Sequence, residues 1–295
     1  MPPPHPWVSG NPLIFCLTRS PWRVALGVCT RRHQLAARPG YRRGVENVFA
    51  DRLVGVRARV ADAARAAGRD PDDVTVLLAT KTHDAETIRA VLTLPGATGM
   101  LRGENRVQEL VAKGPALTDL PTPTHLIGPL QSNKINAALR WVTCVESVAS
   151  PRLADALSAR VGPNLGHPVV GPNLGHPVVG PDRTLDVMVQ VNVSGEETKH
   201  GVTPDDALRL AHHVATLPGL RLTGFMTIGA HTDDETVVRA GFATLRTIRD
   251  TAVTEGLTTA TALSMGMTAD LELAIAEGAT IVRVGTAVFG PRPPV

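Results

Sequence analysis

From Val74 onward, short apolar runs alternate with longer stretches rich in Ala, Leu and Arg. This alternation limits the fold more than any other feature. Strand candidates lie at 74–80, 97–102, 125–130, 141–147, 186–193, 221–228, 261–265 and 280–284. Helical stretches separate most of them, at 84–94, 150–160, 204–216, 234–255 and 269–277. Eight strands with crossover helices in about 250 residues have the size and rhythm of a single (β/α)8 TIM barrel. An open doubly wound sheet is the alternative, but no Gly-x-Gly-x-x-Gly follows the first strand. Upstream, Val45, Val48, Phe49, Leu53, Val56 and Val60 recur at three- and four-residue steps, which predicts a helix with Gly68 as its stop. The chain has 295 residues, 43% of them hydrophobic, room for one large domain or two small ones. No apolar stretch is long enough to cross a bilayer.

Charge is unevenly placed. Seven arginines precede the first acid, Glu46. Without them, 23 basic residues face 27 acidic ones, a net of −4, so charge implies no nucleic-acid or membrane partner. Residues 1–44 are Arg- and Pro-rich and acid-free, as organellar transit peptides are. Heavy Arg, Ala, Gly and Pro use suits a GC-rich genome, which favours an ill-ordered extension over a working signal. The barrel is expected over 45–295. Cys16, Cys29 and Cys144 have no metal-type spacing, and their odd number gives no disulfide framework, so a reducing cytoplasm is expected. One nine-residue unit, Gly162–Val170, recurs unchanged at 171–179. It reads as a duplicated loop insertion, which costs little closure entropy. His167 and His176 within it are not expected to bind metal.

The chain holds four lysines (Lys81, Lys113, Lys134, Lys199) against 26 arginines. Lys81 closes the apolar run Val74–Thr80, where a charge is normally excluded. Arginine cannot stand in for lysine where a deprotonated, nucleophilic amine is required. The position therefore points to covalent carbonyl chemistry, most simply a Schiff base. A snorkelling or ion-paired lysine is the plain alternative.

In a (β/α)8 barrel the active site lies at the C-terminal ends of the strands. Gly103-Glu104-Asn105 follows strand two there, and the Gly128–Lys134 loop follows strand three. Ser264-Met265 ends strand seven, and Arg283-Val284-Gly285-Thr286 ends strand eight. Ser264, Gly285 and Thr286 are the residue types that hold phosphate in such barrels, although Gly and Ser also serve ordinary turns. An amine opposite an anion cradle suggests pyridoxal 5′-phosphate (PLP). Lys199 reads as a solvated surface lysine, and His125 as a satisfied core histidine.

Several segments, in order, resemble the pyridoxal phosphate homeostasis protein family, single-domain barrels of the alanine racemase N-terminal type. They are Leu78-Ala-Thr-Lys-Thr82, Gly103-Glu-Asn-Arg-Val-Gln-Glu109, His125-Leu-Ile-Gly-Pro-Leu-Gln-Ser-Asn-Lys134 and Val189-Gln-Val-Asn-Val193. Gly224-Phe-Met-Thr-Ile228, Leu263-Ser-Met-Gly-Met267 and Val282-Arg-Val-Gly-Thr286 complete the set, over roughly Val45 to Gly290. The resemblance implies that Lys81 forms the internal aldimine and that Asn105 and Met265 line the cofactor. It also implies that Ser264, Gly285 and Thr286 hold the phosphate and that Arg283 faces the pyridine nitrogen. An arginine stays protonated, so the ring nitrogen beside it stays unprotonated and the ring is a weaker electron sink. Departures are His83-Asp84 after the motif threonine, Leu101-Arg102 where an aromatic residue is expected, and the repeat at 162–179.

Racemisation needs acid/base groups on both faces of the substrate Cα. In alanine racemases a tyrosine associated with a second domain assists the lysine. Here the only tyrosine is Tyr41 and the chain ends at Val295, just after the eighth strand. The expectation is a PLP carrier in cellular PLP homeostasis, with little or no turnover. Its partners would be PLP and apo forms of PLP-dependent enzymes, and its state a monomer or weak homodimer. A weak racemase or other type III PLP enzyme using Lys81 is the alternative. A phosphate-substrate barrel without pyridoxal comes third.

Overall fold

The computed structural model describes the backbone of residues 39–161, 169–170, 177–178, 184–196 and 198–291. Side chains are described over 47–161, 184–196 and 198–291. By internal contacts the chain divides into Met1–Val45 and Glu46–Val295. Of the first unit only residues 39–45 are described, as the opening turns of helix α1 (Pro39–Ala66). The expected extension therefore falls almost wholly outside the described residues, and its last six residues, 39–44, are already helical.

In the second unit eight parallel strands close into a barrel: β1 (Thr75–Ala79), β2 (Leu101–Glu104), β3 (Thr124–Leu126), β4 (Cys144–Val148), β5 (Leu185–Gln190), β6 (Leu220–Met226), β7 (Ala262–Ser264) and β8 (Ile281–Val284). Strand β1 pairs with both β2 and β8, so the sheet has no free edge and the open-sheet alternative is excluded. Crossovers carry α2 (Ala85–Leu92), α3 (Val107–Lys113), α4 (Ile135–Ala138), α5 (Pro151–Val161), α6 (Pro204–Ala215), α7 (Glu235–Thr254) and α8 (Leu271–Ala276), and β8 runs into α9 (Thr286–Phe289). Helices α3 and α4, too short to stand out in the sequence, complete the alternation.

Three strands shift from their expected bounds for local reasons. The second starts at Leu101 because Pro95–Ala97 winds into a 3-10 turn and Gly99 adopts φ +77°. The third stops at Leu126, since Pro129 shortly beyond has no N–H to extend a ladder. The fourth starts at Cys144 because the amides of Trp141 and Val142 still bond the Ala138 carbonyl of the preceding helix. The duplicated insertion is described only at Val169–Val170 and Pro177–Val178, which pair antiparallel; its histidines lie outside the described residues.

Helix α1 buries Phe49, Leu53, Val56, Val60 and Ala64, a single stripe at three- and four-residue steps. Each large member of that stripe contributes roughly 1.5–3 kcal/mol over its exposed state. Arg52 donates to the Val288 carbonyl, and Arg69 to those of Ile275 and Ala279, fastening the helix to the end of the barrel chain. Asp84, Thr203 and Asp234 cap α2, α6 and α7 through their side chains. Among the described residues, no helix is long and apolar enough to cross a membrane.

Two-residue alternation divides the barrel interior into layers. Leu77, Cys144, Met188, Met226 and Ile281 form one apolar cluster, joined by Leu101, Ile127 and Ala262. Two residues further along their strands, the same inward face carries Glu146 after Cys144 and Arg283 after Ile281. Ser264 is in register with Met226 and His125 with Cys144, so both face inward as well. The core is thus apolar below and polar above, toward the strand ends.

Candidate functional site

The polar layer is one connected network. Glu146, fully buried, meets His125 Nδ1 through Oε1 at 2.6 Å, and its Oε2 accepts the Ser264 hydroxyl at 2.6 Å. Arg283, 5% exposed, donates from Nη1 to the Ser264 carbonyl and hydroxyl at 2.7 and 2.8 Å. Its Nη2 donates to the Thr227 carbonyl at 2.6 Å. Burial alone would raise the Glu146 carboxyl, but the His125 bond, the charges of His125 and Arg283 and the Ser264 bond outweigh it and hold it below the ordinary range. Burial lowers the Arg283 guanidinium, while Glu146 and Asp270 oppose that effect. Glu146 was not among the residues singled out from the sequence. A lone acid inside the apolar run Val142–Val148 was the available signal, the same kind of signal that marked Lys81. His125 is satisfied, as expected.

Lys81 follows Leu77 and Ala79 on the inward-facing alternation, one residue past fully buried Thr80. Its neighbour across the strand pair is the end of β8. Leu77 and Leu78 are in register with Arg283 and Val284, and a Cβ on Gly285 would stand 3.5 Å from the Ala79 carbonyl oxygen. Gly285 caps α9, and Thr286, its first residue, is exposed. The first amides of a helix have no intrahelical acceptor, so the strand end that carries Lys81 lies beside a set of main-chain donors at one end of the barrel. Asn105, just past β2, is partly exposed. Met265 is fully buried, whereas Met267 is 41% exposed. The structure thus brings Ser264 and Arg283 together in the polar layer, and Lys81, Gly285 and Thr286 together at the mouth above it.

Gly128, opening the loop after β3, lies against Asn105. A Cβ there would stand 2.0 Å from the Asn105 carbonyl oxygen and 2.7 Å from its Oδ1. The Gly128 carbonyl is fixed in turn by the Ser147 hydroxyl at 2.7 Å. Gly128→Ala is therefore expected to cost about 1–3 kcal/mol in chemical denaturation. Gln131, Ser132 and Asn133 of the same loop are exposed, and Ser132–Lys134 forms the 3-10 turn that leads into α4.

None of the four lysines is exposed. Lys199 is not the solvated surface lysine expected: its side chain is 15% exposed and donates to Glu196 Oε1 at 2.6 Å and to the Gly229 carbonyl at 2.8 Å. The loop after β5 folds back on the end of β6, and that closes over the amine. Where an aromatic residue was expected before Gly103, Leu101 packs against the apolar cluster and Arg102 is 5% exposed. His83 stacks on Phe289 of α9, ring centroids 4.4 Å apart. Burial, then the nearby Lys113 charge, lowers the His83 imidazole from its ordinary value.

The barrel and its mouth define a class. Residues 56–293 match the family described as alanine racemase, N-terminal domain. Within that class, a pyridoxal phosphate homeostasis protein of Pseudomonas aeruginosa is 41% identical over 247 residues, 83% of this chain and 96% of that protein. Another, from Aquifex aeolicus, is 37% identical over 243 residues, 82% of this chain and 97% of that protein. PipY of Synechococcus elongatus, solved with PLP bound, is 32% identical with a TM-score of 0.64, over 82% of this chain and 100% of that one. This chain belongs to the pyridoxal phosphate homeostasis protein family.

Proposed function

We propose that this chain binds pyridoxal 5′-phosphate and serves PLP homeostasis in the cytoplasm, holding the cofactor as a Schiff base on Lys81 with little or no turnover. The observation that carries the reading is the pairing, on neighbouring strand ends, of Lys81 with Gly285 and Thr286 above buried Arg283. That donor set fits the group: an amine for an aldehyde, main-chain amides and a hydroxyl for a phosphate, a fixed guanidinium for a ring nitrogen. Bound PLP would supply an aldehyde that condenses with the amine, forming a C=N bond and releasing water.

The chain's own residues divide the remaining work. Gly285 and Thr286 would receive the phosphate. Ser264 belongs to the same proposed set, but its hydroxyl already serves Glu146 and Arg283, so it would contribute through its main chain or by giving up that bond. Asn105 and Met265 would line the cofactor. Arg283, held by three hydrogen bonds, would keep one orientation toward the ring nitrogen. The carrier reading is favoured over a racemase because His125 and Glu146, two titratable groups of the polar layer, are bonded to each other rather than poised at the mouth. Apo forms of PLP-dependent enzymes are the recipients such a carrier would serve.

The test loads the protein with PLP, reduces it with borohydride and maps the adduct. It then measures deuterium uptake at Cα of L- and D-amino acids in heavy water. An adduct on Lys81 with negligible exchange is expected. Absence of any adduct would overturn PLP binding through Lys81, and rapid Lys81-dependent exchange would make this an enzyme.

A further inference from the structure

Lys113 is a second partly buried lysine near the barrel mouth, its side chain 11% exposed at the C-terminal end of α3. Its Nζ donates to Glu104 Oε1 and Oε2 at 3.2 Å each, to Glu109 Oε2 at 3.0 Å and to the Thr80 carbonyl at 3.0 Å. An ammonium with this many acceptors is a poor nucleophile. It is, however, bonded to the residue immediately before Lys81.

The same cluster grips both sides of Lys81. The Thr80 hydroxyl donates to Glu104 Oε1 at 2.6 Å, and Glu104 is fully buried. The Thr82 amide donates to Glu109 Oε2 at 2.8 Å. Burial would raise the Glu109 carboxyl, but that amide and Lys113 outweigh it and hold it below the ordinary range. Thr82 adopts φ +68°, the one non-glycine residue at positive φ among those described. A β-branched residue there costs about 1–3 kcal/mol and persists only where its surroundings impose it. Glycine, the residue that takes this conformation without cost, is not used. On the far side of the turn His83 stacks on Phe289, in the helix that Gly285 and Thr286 begin.

We propose that Lys113, with Glu104 and Glu109, is the positioning group for Lys81, clamping the Thr80–Thr82 turn so that the amine meets an incoming aldehyde in one geometry. The inference rests on the reading of Lys81 as the PLP-bearing residue and adds to it which residues set the rate of capture. Displacing a reacting group by an ångström costs about ten- to a hundredfold in rate. Loss of the clamp should therefore slow covalent loading while leaving non-covalent recognition, made by other strand ends, intact.

The experiment compares full-length wild type with Lys113→Met. Loading is followed as Lys81 adduct trapped by borohydride over time, and non-covalent binding is measured with pyridoxine 5′-phosphate, which has no aldehyde. Expected are loading about tenfold or more slower, unchanged affinity for the alcohol, and faster amide exchange at Thr82. Glu109→Gln, which still accepts the Thr82 amide, is expected nearer to wild type than Glu109→Leu. Should Lys113→Met fail to fold, Glu109→Leu removes the acceptor of the Thr82 amide while Lys113 still pairs Glu104, and slower loading is again expected. Wild-type loading rates in a folded Lys113→Met, or in Glu109→Leu, would overturn the clamp, as would equal losses for aldehyde and alcohol. These outcomes leave the Lys81 reading standing. Absence of a Lys81 adduct in wild type would instead remove the reading itself.

Discussion

Glu146→Ala is expected to lower the stability of the barrel by about 3–5 kcal/mol, the usual result of leaving one member of a buried charged network without its partner. The substitution strands Arg283, which stays buried and keeps its charge, and it also frees His125 and the Ser264 hydroxyl. In a domain of this size that loss corresponds to a fall of roughly 6–20 °C in Tm. Glu146→Gln keeps the shape and can still bond His125 and Ser264, so about 1–3 kcal/mol is expected. A pH signature accompanies the loss. Glu146 has a lower pKa in the folded chain than its ordinary 4.5, so its contribution is fully present above that value and is lost as pH falls through the folded pKa. Acid unfolding of wild type should therefore be steeper below about pH 4.5 than that of Glu146→Ala. Equal Tm values for wild type and Glu146→Ala would show that the network adds nothing to stability.

The second large effect separates chemistry from charge. Lys81→Arg retains a cation of similar length at the strand end but has no amine that can lose its proton near neutrality. Covalent capture of PLP should disappear, with no adduct after borohydride and retention through gel filtration lower by about a hundredfold, near 3 kcal/mol at 1.4 per decade. Tm without PLP should move by less than about 1 kcal/mol equivalent, since the side chain is only partly buried. A trapped adduct of undiminished yield in Lys81→Arg would place the covalent bond on another lysine, and peptide mapping would identify it.

Much of the barrel was visible in the sequence because each strand is a short apolar run that stands out from the Ala- and Arg-rich helices around it. Where the bounds slipped, the cause was local hydrogen bonding that apolar content does not report. The Ala138 carbonyl still holds Trp141 and Val142, and Pro95 starts a 3-10 turn. Short α3 and α4 carry too few turns for periodicity to register.

The site divides in the same way. Lys81 was legible because a lysine ending an apolar strand, in a chain that otherwise writes its cations as arginine, contradicts its surroundings. Glu146 contradicted its surroundings equally, but a carboxylate in a strand has no obvious chemistry until its partners are known. Those partners sit on β3, β7 and β8, and the Ser264–Glu146 bond joins residues 118 apart in the chain. Lys113 carried no reading of its own for the same reason, and Lys199 read as a surface lysine. Sequence periodicity and residue chemistry thus determined the barrel, its mouth and the amine there. Barrel closure alone decided which polar groups face each other across the axis and which lysine is held still, because pairing depends on strand register and on charges buried beyond the reach of water.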